Sequence, residues 1–89
     1  MSQLSLFQKR IHDEIPLSRA LGIQLHSWDG RSLLLSAPLE PNRNHQGTGF
    51  GGSIYCAAVT AAWGLTELAL SDMGLRGSVV VQSGNIDYL

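Results

Sequence analysis

This chain of 89 residues has one cysteine, three histidines and few charges, only 15% of its residues being Asp, Glu, Lys or Arg. The lone Cys56 excludes an intrachain disulfide and suits a reducing compartment, so the cytoplasm is the expected location. One cysteine and three scattered histidines leave no ligand set for a structural zinc, and neither a metal nor a cofactor is expected. Six basic residues stand against seven acidic ones, a formal charge of −1, with no Lys/Arg cluster. Nucleic acid and anionic membrane surfaces are therefore not expected partners. The first ten residues, Met1 to Arg10, lack the apolar core of a signal peptide. The length allows one small domain, taken as residues 1–89, and 44% hydrophobic content is that of a chain that folds.

Apolar spacing divides the chain. Leu4, Phe7, Ile11 and Ile15 recur at helical intervals over residues 3–15, with Ser2 as N-cap. Pro16 can open a second short helix through Ala20, ended by Gly22. Residues 23–28 alternate roughly by two, Asp29-Gly30 signals a hairpin, and residues 31–37 return as its second strand. Residues 40–52 are loop. A helix from Ser53 to about Ser71 follows, carrying one charge, Glu67, and apolar on most sides. Such a helix must be wrapped, and its interrupting Ser53, Thr60, Gly64, Thr66 and Glu67 make it a core helix, not a membrane span. Residues 78–83 and 86–89 have strand character, with a bulge expected at Gly84-Asn85. The pattern stops inside a strand at Leu89, so the chain is expected to be the first part of a domain completed by further antiparallel strands.

The most informative stretch runs from Asn42 to Ser53. Polar, glycine-rich backbone leads straight into the apolar helix. Unpaired N–H groups and the positive end of the helix dipole collect there, a place that binds an anion or polarises a carbonyl oxygen. Gly51 and Gly52 either permit a tight turn or open the backbone N–H groups to such an oxygen. Asn42, Asn44, His45 and Gln46 are either turn formers or holders of water and substrate. Along the helix, Ser53, Cys56, Thr60, Gly64, Glu67 and Ser71 form one narrow stripe of small and polar groups. The stripe is either a seam for close packing or a polar face for a ligand at Thr60. Glu67 is expected at the solvated end, and Trp28 at the surface or an interface. Cys56 reads as a small buried apolar residue, Tyr55 and Trp63 as core or pocket lining, and His12 and His26 as structural or solvated.

Asp29-Gly30, Ala37-Pro38-Leu39, Asn44-His45-Gln46-Gly47-Thr48, Phe50-Gly51-Gly52-Ser53 and Ile86-Asp87-Tyr88-Leu89 together resemble the hotdog-fold thioesterases. The resemblance is closest to the thioesterase family also found as the C-terminal domain of YiiD-type acetyltransferases. With Met1 just ahead of the first helix, no acetyltransferase half is expected in front. The resemblance implies an α+β hotdog fold, a curved antiparallel sheet around one long central helix, here incomplete at the C-terminus. It implies hydrolysis of an acyl thioester of coenzyme A or acyl carrier protein by a homodimer. The catalytic residues it suggests are Asn44, His45, Gly52 and Thr60. Substrate binding would fall to Asn42, Gln46, Gly47, Phe50, Gly51 and Ser53. Related families place a His at Phe50 and a carboxylate at Val59, so their carboxylate mechanism does not carry over. A non-catalytic acyl-binding or dimerisation module is the alternative, and a dehydratase on the same fold a third reading.

Overall fold

Helix α1 (Gln3–Glu14) begins at Ser2, whose side chain accepts a hydrogen bond from the Ser5 N–H, as the N-cap expectation requires. The computed structural model describes residues 2–89. Phe7 and Ile11 of α1 are buried, with Leu4 and Ile15 packed beside them. Pro16 opens α2 (Pro16–Ala20) and Gly22, at φ +73°, follows it in the left-handed region. A Cβ at Gly22 would lie 2.9 Å from the Pro38 ring, so the position needs glycine twice over. Ser18, buried in α2, sits between the Ile11 and Ile15 carbonyls and locks the α1–α2 corner.

Strands β1 (Gln24–Trp28) and β2 (Leu33–Ser36) pair antiparallel. The turn holds four residues rather than a two-residue Asp-Gly loop: Asp29 Oδ1 accepts from the Arg31 and Ser32 N–H groups, and Gly30 takes φ +92°. Leu25 opposes Leu35 and Ser27 opposes Leu34, which leaves His26 as a bulge. The extra residue lets Leu25 and Trp28 both pack against the core, where strict alternation would separate them. His12 Nε2 donates to the Ile23 carbonyl at 2.8 Å and the His26 ring lies 2.6 Å from Ser36 Oγ, so both histidines are structural.

Helix α3 (Gly51–Asp72) lies on β2 and α1. Gly64 and Leu68 are its buried residues; a Cβ on Gly64 would come within 3.0 Å of Leu33 Cδ2. The stripe of small residues is thus a packing seam at Gly64. By length and composition α3 could cross a membrane, but here one side of it seats on the hairpin and α1. Glu67 is not at a solvated end: its side chain is only 11% exposed and faces Arg10 at 3.4 Å, whose guanidinium also lies over the Phe7 and Trp63 rings. Trp28 is not a surface residue either, for it packs on the core and donates through Nε1 to Asp72 Oδ2 at 2.9 Å.

Residues 75–89 form no regular element. The strands expected at 78–83 and 86–89 are absent because neither segment has a hydrogen-bonded strand beside it among the described residues. The segment instead runs back along α3. Trp63 Nε1 donates to the Val79 carbonyl at 2.8 Å, and the Tyr88 hydroxyl donates to the Gly51 carbonyl at 2.6 Å.

Asp72 joins three elements, since its other carboxylate oxygen accepts from Gln3 Nε2 at 2.8 Å. These bonds from Gln3 and Trp28 hold its carboxyl below the usual carboxylate range. With the folded-state pKa below the unfolded one, the stabilisation is complete at neutral pH and is lost as the pH falls through that range. Asp72→Asn is expected to lower stability slightly at neutral pH and to flatten its decline between about pH 5 and pH 3, followed by urea titration across that window. An unchanged acid limb would contradict the assignment.

Candidate functional site

A short 3-10 turn, Glu40–Asn42, carries the chain from the hairpin to the loop before α3. Asn42 is buried, and its Nδ2 donates to the Leu21 carbonyl at 2.8 Å and to the Pro38 carbonyl at 2.7 Å. Its backbone carbonyl accepts from the Phe50 N–H at 2.7 Å. Its Oδ1 is buried with no hydrogen-bond partner among the described residues. Asn42 is therefore the clamp under the loop, with a side chain directed into protein.

Residues 43–49 form a small antiparallel excursion closed by an Arg43–Gly49 bridge. Asn44 organises it. Its Oδ1 accepts from the Gln46 N–H at 2.9 Å and the Thr48 N–H at 3.0 Å, and its Nδ2 donates to Thr48 Oγ1 at 2.8 Å. Backbone bonds from Asn44 N to Thr48 O and from Gly47 N to Asn44 O complete the turn, with Gly47 at φ +79°. The acceptor capacity of the Asn44 carboxamide is used inside the loop. His45 and Gln46 occupy the exposed tip.

Helix α3 begins at Gly51, two residues earlier than the spacing suggests. Phe50, extended at φ −71° and ψ 130°, is the N-cap residue, and its carbonyl accepts from the Ile54 N–H at 3.0 Å. Gly51, Gly52 and Ser53 thus make the first turn, and their N–H groups have no intrahelical acceptor. Phe50 offers no side-chain cap and the turn contains no carboxylate, so the positive end of the dipole is uncompensated. Two rings flank the glycines. A Cβ on Gly52 would lie 2.7 Å from the Phe50 ring, and one on Gly51 would lie 3.2 Å from Tyr88 Cζ. Ser53 lines a groove of about 280 Å³ with Pro38, Asn42 and Ile54.

Thr60 lies eight residues beyond Gly52, about 12 Å along the helix at 1.5 Å per residue. Its hydroxyl donates to the Cys56 carbonyl at 2.7 Å. Thr60 belongs instead to an apolar cavity of about 380 Å³ that it lines with Leu17, Tyr55, Cys56, Val59 and Trp63. The structure gathers Phe50, Gly51, Gly52 and Ser53 at one helix terminus, suspends Asn44, His45, Gln46 and Gly47 beside it in the loop, and leaves Thr60 apart. Tyr88, whose hydroxyl reaches Gly51, has no role in the sequence reading; its place in the Ile86–Leu89 motif was the only signal.

The model of the family described as "Putative thioesterase (yiiD_Cterm)" matches residues 4–89. A structure described as that of the putative thioesterase from Shewanella oneidensis superposes with a TM-score of 0.92 at 34% identity, covering 97% of this chain and 63% of that one. A protein of unknown function from Chlorobaculum tepidum TLS superposes with a TM-score of 0.90 at 40% identity, covering 94% of this chain and 52% of that one. The chain thus spans between half and two thirds of the length of these two relatives.

The two asparagines are expected to separate in a stability assay. Asn42→Ala leaves two carbonyls without their donor and should cost about 2–4 kcal/mol. Asn44→Ala frees groups that water can reach and should cost about 1 kcal/mol. Urea denaturation of both variants measures this, and equal losses would contradict the division of roles.

Proposed function

From the match over residues 4–89 and identities of 34% and 40%, this hotdog-fold chain belongs to the yiiD_Cterm putative thioesterase family, and we propose that it hydrolyses acyl thioesters of coenzyme A or acyl carrier protein. The observation that carries this reading is the first turn of α3, where the N–H groups of Gly51, Gly52 and Ser53 meet neither a side-chain cap nor a carboxylate. A thioester carbonyl oxygen gains negative charge as water attacks its carbon. N–H groups fixed at a dipole's positive end stabilise that charge without reorganising, and one such donor is typically worth about 10²–10³ in kcat. Glycine at both Gly51 and Gly52 makes room for the Tyr88 and Phe50 rings beside this turn.

Asn44 acts here by holding the loop. His45, at the exposed tip, is the candidate to take the proton from the attacking water. Gln46 and Gly47 complete that tip, and Asn42 contributes by fixing Phe50 and therefore the helix start. The apolar cavity beside Tyr55, Val59, Thr60 and Trp63 is suited to the acyl chain, with Thr60 as a wall since its hydroxyl is bound to Cys56. A homodimer is part of the proposal, on the strength of the family likeness. The absence of a carboxylate at Val59 favours the second reading, an acyl-thioester-binding module without turnover.

Free-thiol release from acetyl-CoA through palmitoyl-CoA separates the two. Turnover is expected, and Gly52→Val should reduce kcat by about 10²-fold or more while the melting temperature holds, because the half-exposed Phe50 ring can swing aside. Binding without thiol release would leave the module reading. A parallel loss of activity and melting temperature would make Gly52 purely structural.

A further inference from the structure

The Gly51 carbonyl and the Gly52 N–H belong to one peptide unit. That unit is planar, so whatever fixes the carbonyl also fixes the N–H, which points the opposite way. The Gly51 carbonyl is on the inner side of the first turn, where helical geometry has it accept from the Tyr55 N–H. It also accepts from the Tyr88 hydroxyl at 2.6 Å, across 37 residues of chain. The phenol ring lies tightly against Gly51: a Cβ there would meet Cζ at 3.2 Å, Oη at 3.3 Å and Cε1 at 3.4 Å. The glycine and the tyrosine are thus matched in size, and the ring covers that side of the helix start.

We infer that Tyr88 is a positioning residue for the thioester site: its hydroxyl, by binding the Gly51 carbonyl, orients and polarises the Gly52 N–H that receives the substrate oxygen. This rests on the thioesterase reading for the identity of the substrate, but not for the state of the peptide itself. Two effects combine. A pair of glycines at a helix start has little intrinsic stiffness, and a second hydrogen bond on the carbonyl restrains the peptide plane. A hydrogen bond accepted by an amide carbonyl draws electron density toward its oxygen and makes the N–H of the same unit a stronger donor, by about 10–30% per bond in a chain of such bonds. Tyr88 donates, the Gly51–Gly52 peptide relays, and the substrate oxygen accepts. No proton is transferred and no bond to the tyrosine forms.

The experiment compares the full chain with its Tyr88→Phe variant, which keeps the ring over Gly51 and removes only the hydroxyl. Tyr88 is half-exposed, so the variant folds. The first readout is the Gly52 amide by nitrogen-15 NMR without substrate: loss of the hydroxyl should move its nitrogen resonance upfield. The second readout is acyl-CoA turnover. A donor worth about 10²–10³ in kcat, weakened by 10–30%, loses about two- to eightfold, with KM and melting temperature unchanged. An unchanged Gly52 resonance overturns the inference whatever the activity. A shifted resonance with unchanged kcat overturns the positioning role. If the parent chain turns over none of the acyl-CoAs, the thioesterase reading fails by itself, and the Gly52 resonance still decides whether Tyr88 controls that amide.

Discussion

Asn42 ties together three pieces of chain that the sequence keeps apart. Its carboxamide bridges the carbonyls of Leu21 and Pro38, and its own carbonyl holds the Phe50 N–H. One residue thereby joins the end of α2, the exit of the hairpin and the cap of α3. Each of these carbonyls would otherwise lose its donor at a part-buried joint, where such groups are costly to leave unpaired. Where the first turn of α3 begins, and what it faces, follows from that joint. The Gly22 turn belongs to the same constraint, because the Pro38 ring packs where a side chain would stand.

The site inherits two kinds of support. The loop on one side is held by the Asn44 carboxamide, and the helix start on the other by Phe50 and Tyr88. Between them lie N–H groups that no part of the described chain neutralises. A helix terminus alone is common to most folds. What distinguishes this one is the absence of any capping side chain, the absence of carboxylates in the first turn, and glycine at its first two positions. Farther along α3 lies an apolar cavity walled by Tyr55, Val59 and Trp63.

Much of this was legible in the sequence because it rests on local rules. Ser2 before a 3–4 spaced apolar pattern, Pro16 at a helix start, Gly22 after its end, and the apolar run behind Ser53 each encode their element within a few residues. Long-range facts were not encoded that way. Asn42 and Asn44 are the same residue type two positions apart in one loop; only the burial of the first separates a clamp from a turn former. Glu67 looked solvated until Arg10 of another helix came to it, and Trp28 looked superficial until Asp72 did. The Val79–Val81 run has strand character, yet a strand exists only where a neighbour bonds to it, and here the run follows α3 instead.

The central claim is that backbone N–H groups at the start of α3 polarise a thioester carbonyl. Difference infrared spectroscopy of an acyl-CoA carrying carbon-13 at the carbonyl tests it directly. On binding to this protein the carbonyl stretch is predicted to fall in frequency, and with Gly52→Val it should return toward its value in water. A bound ligand whose carbonyl band is unshifted, or equally shifted in both proteins, would contradict the account.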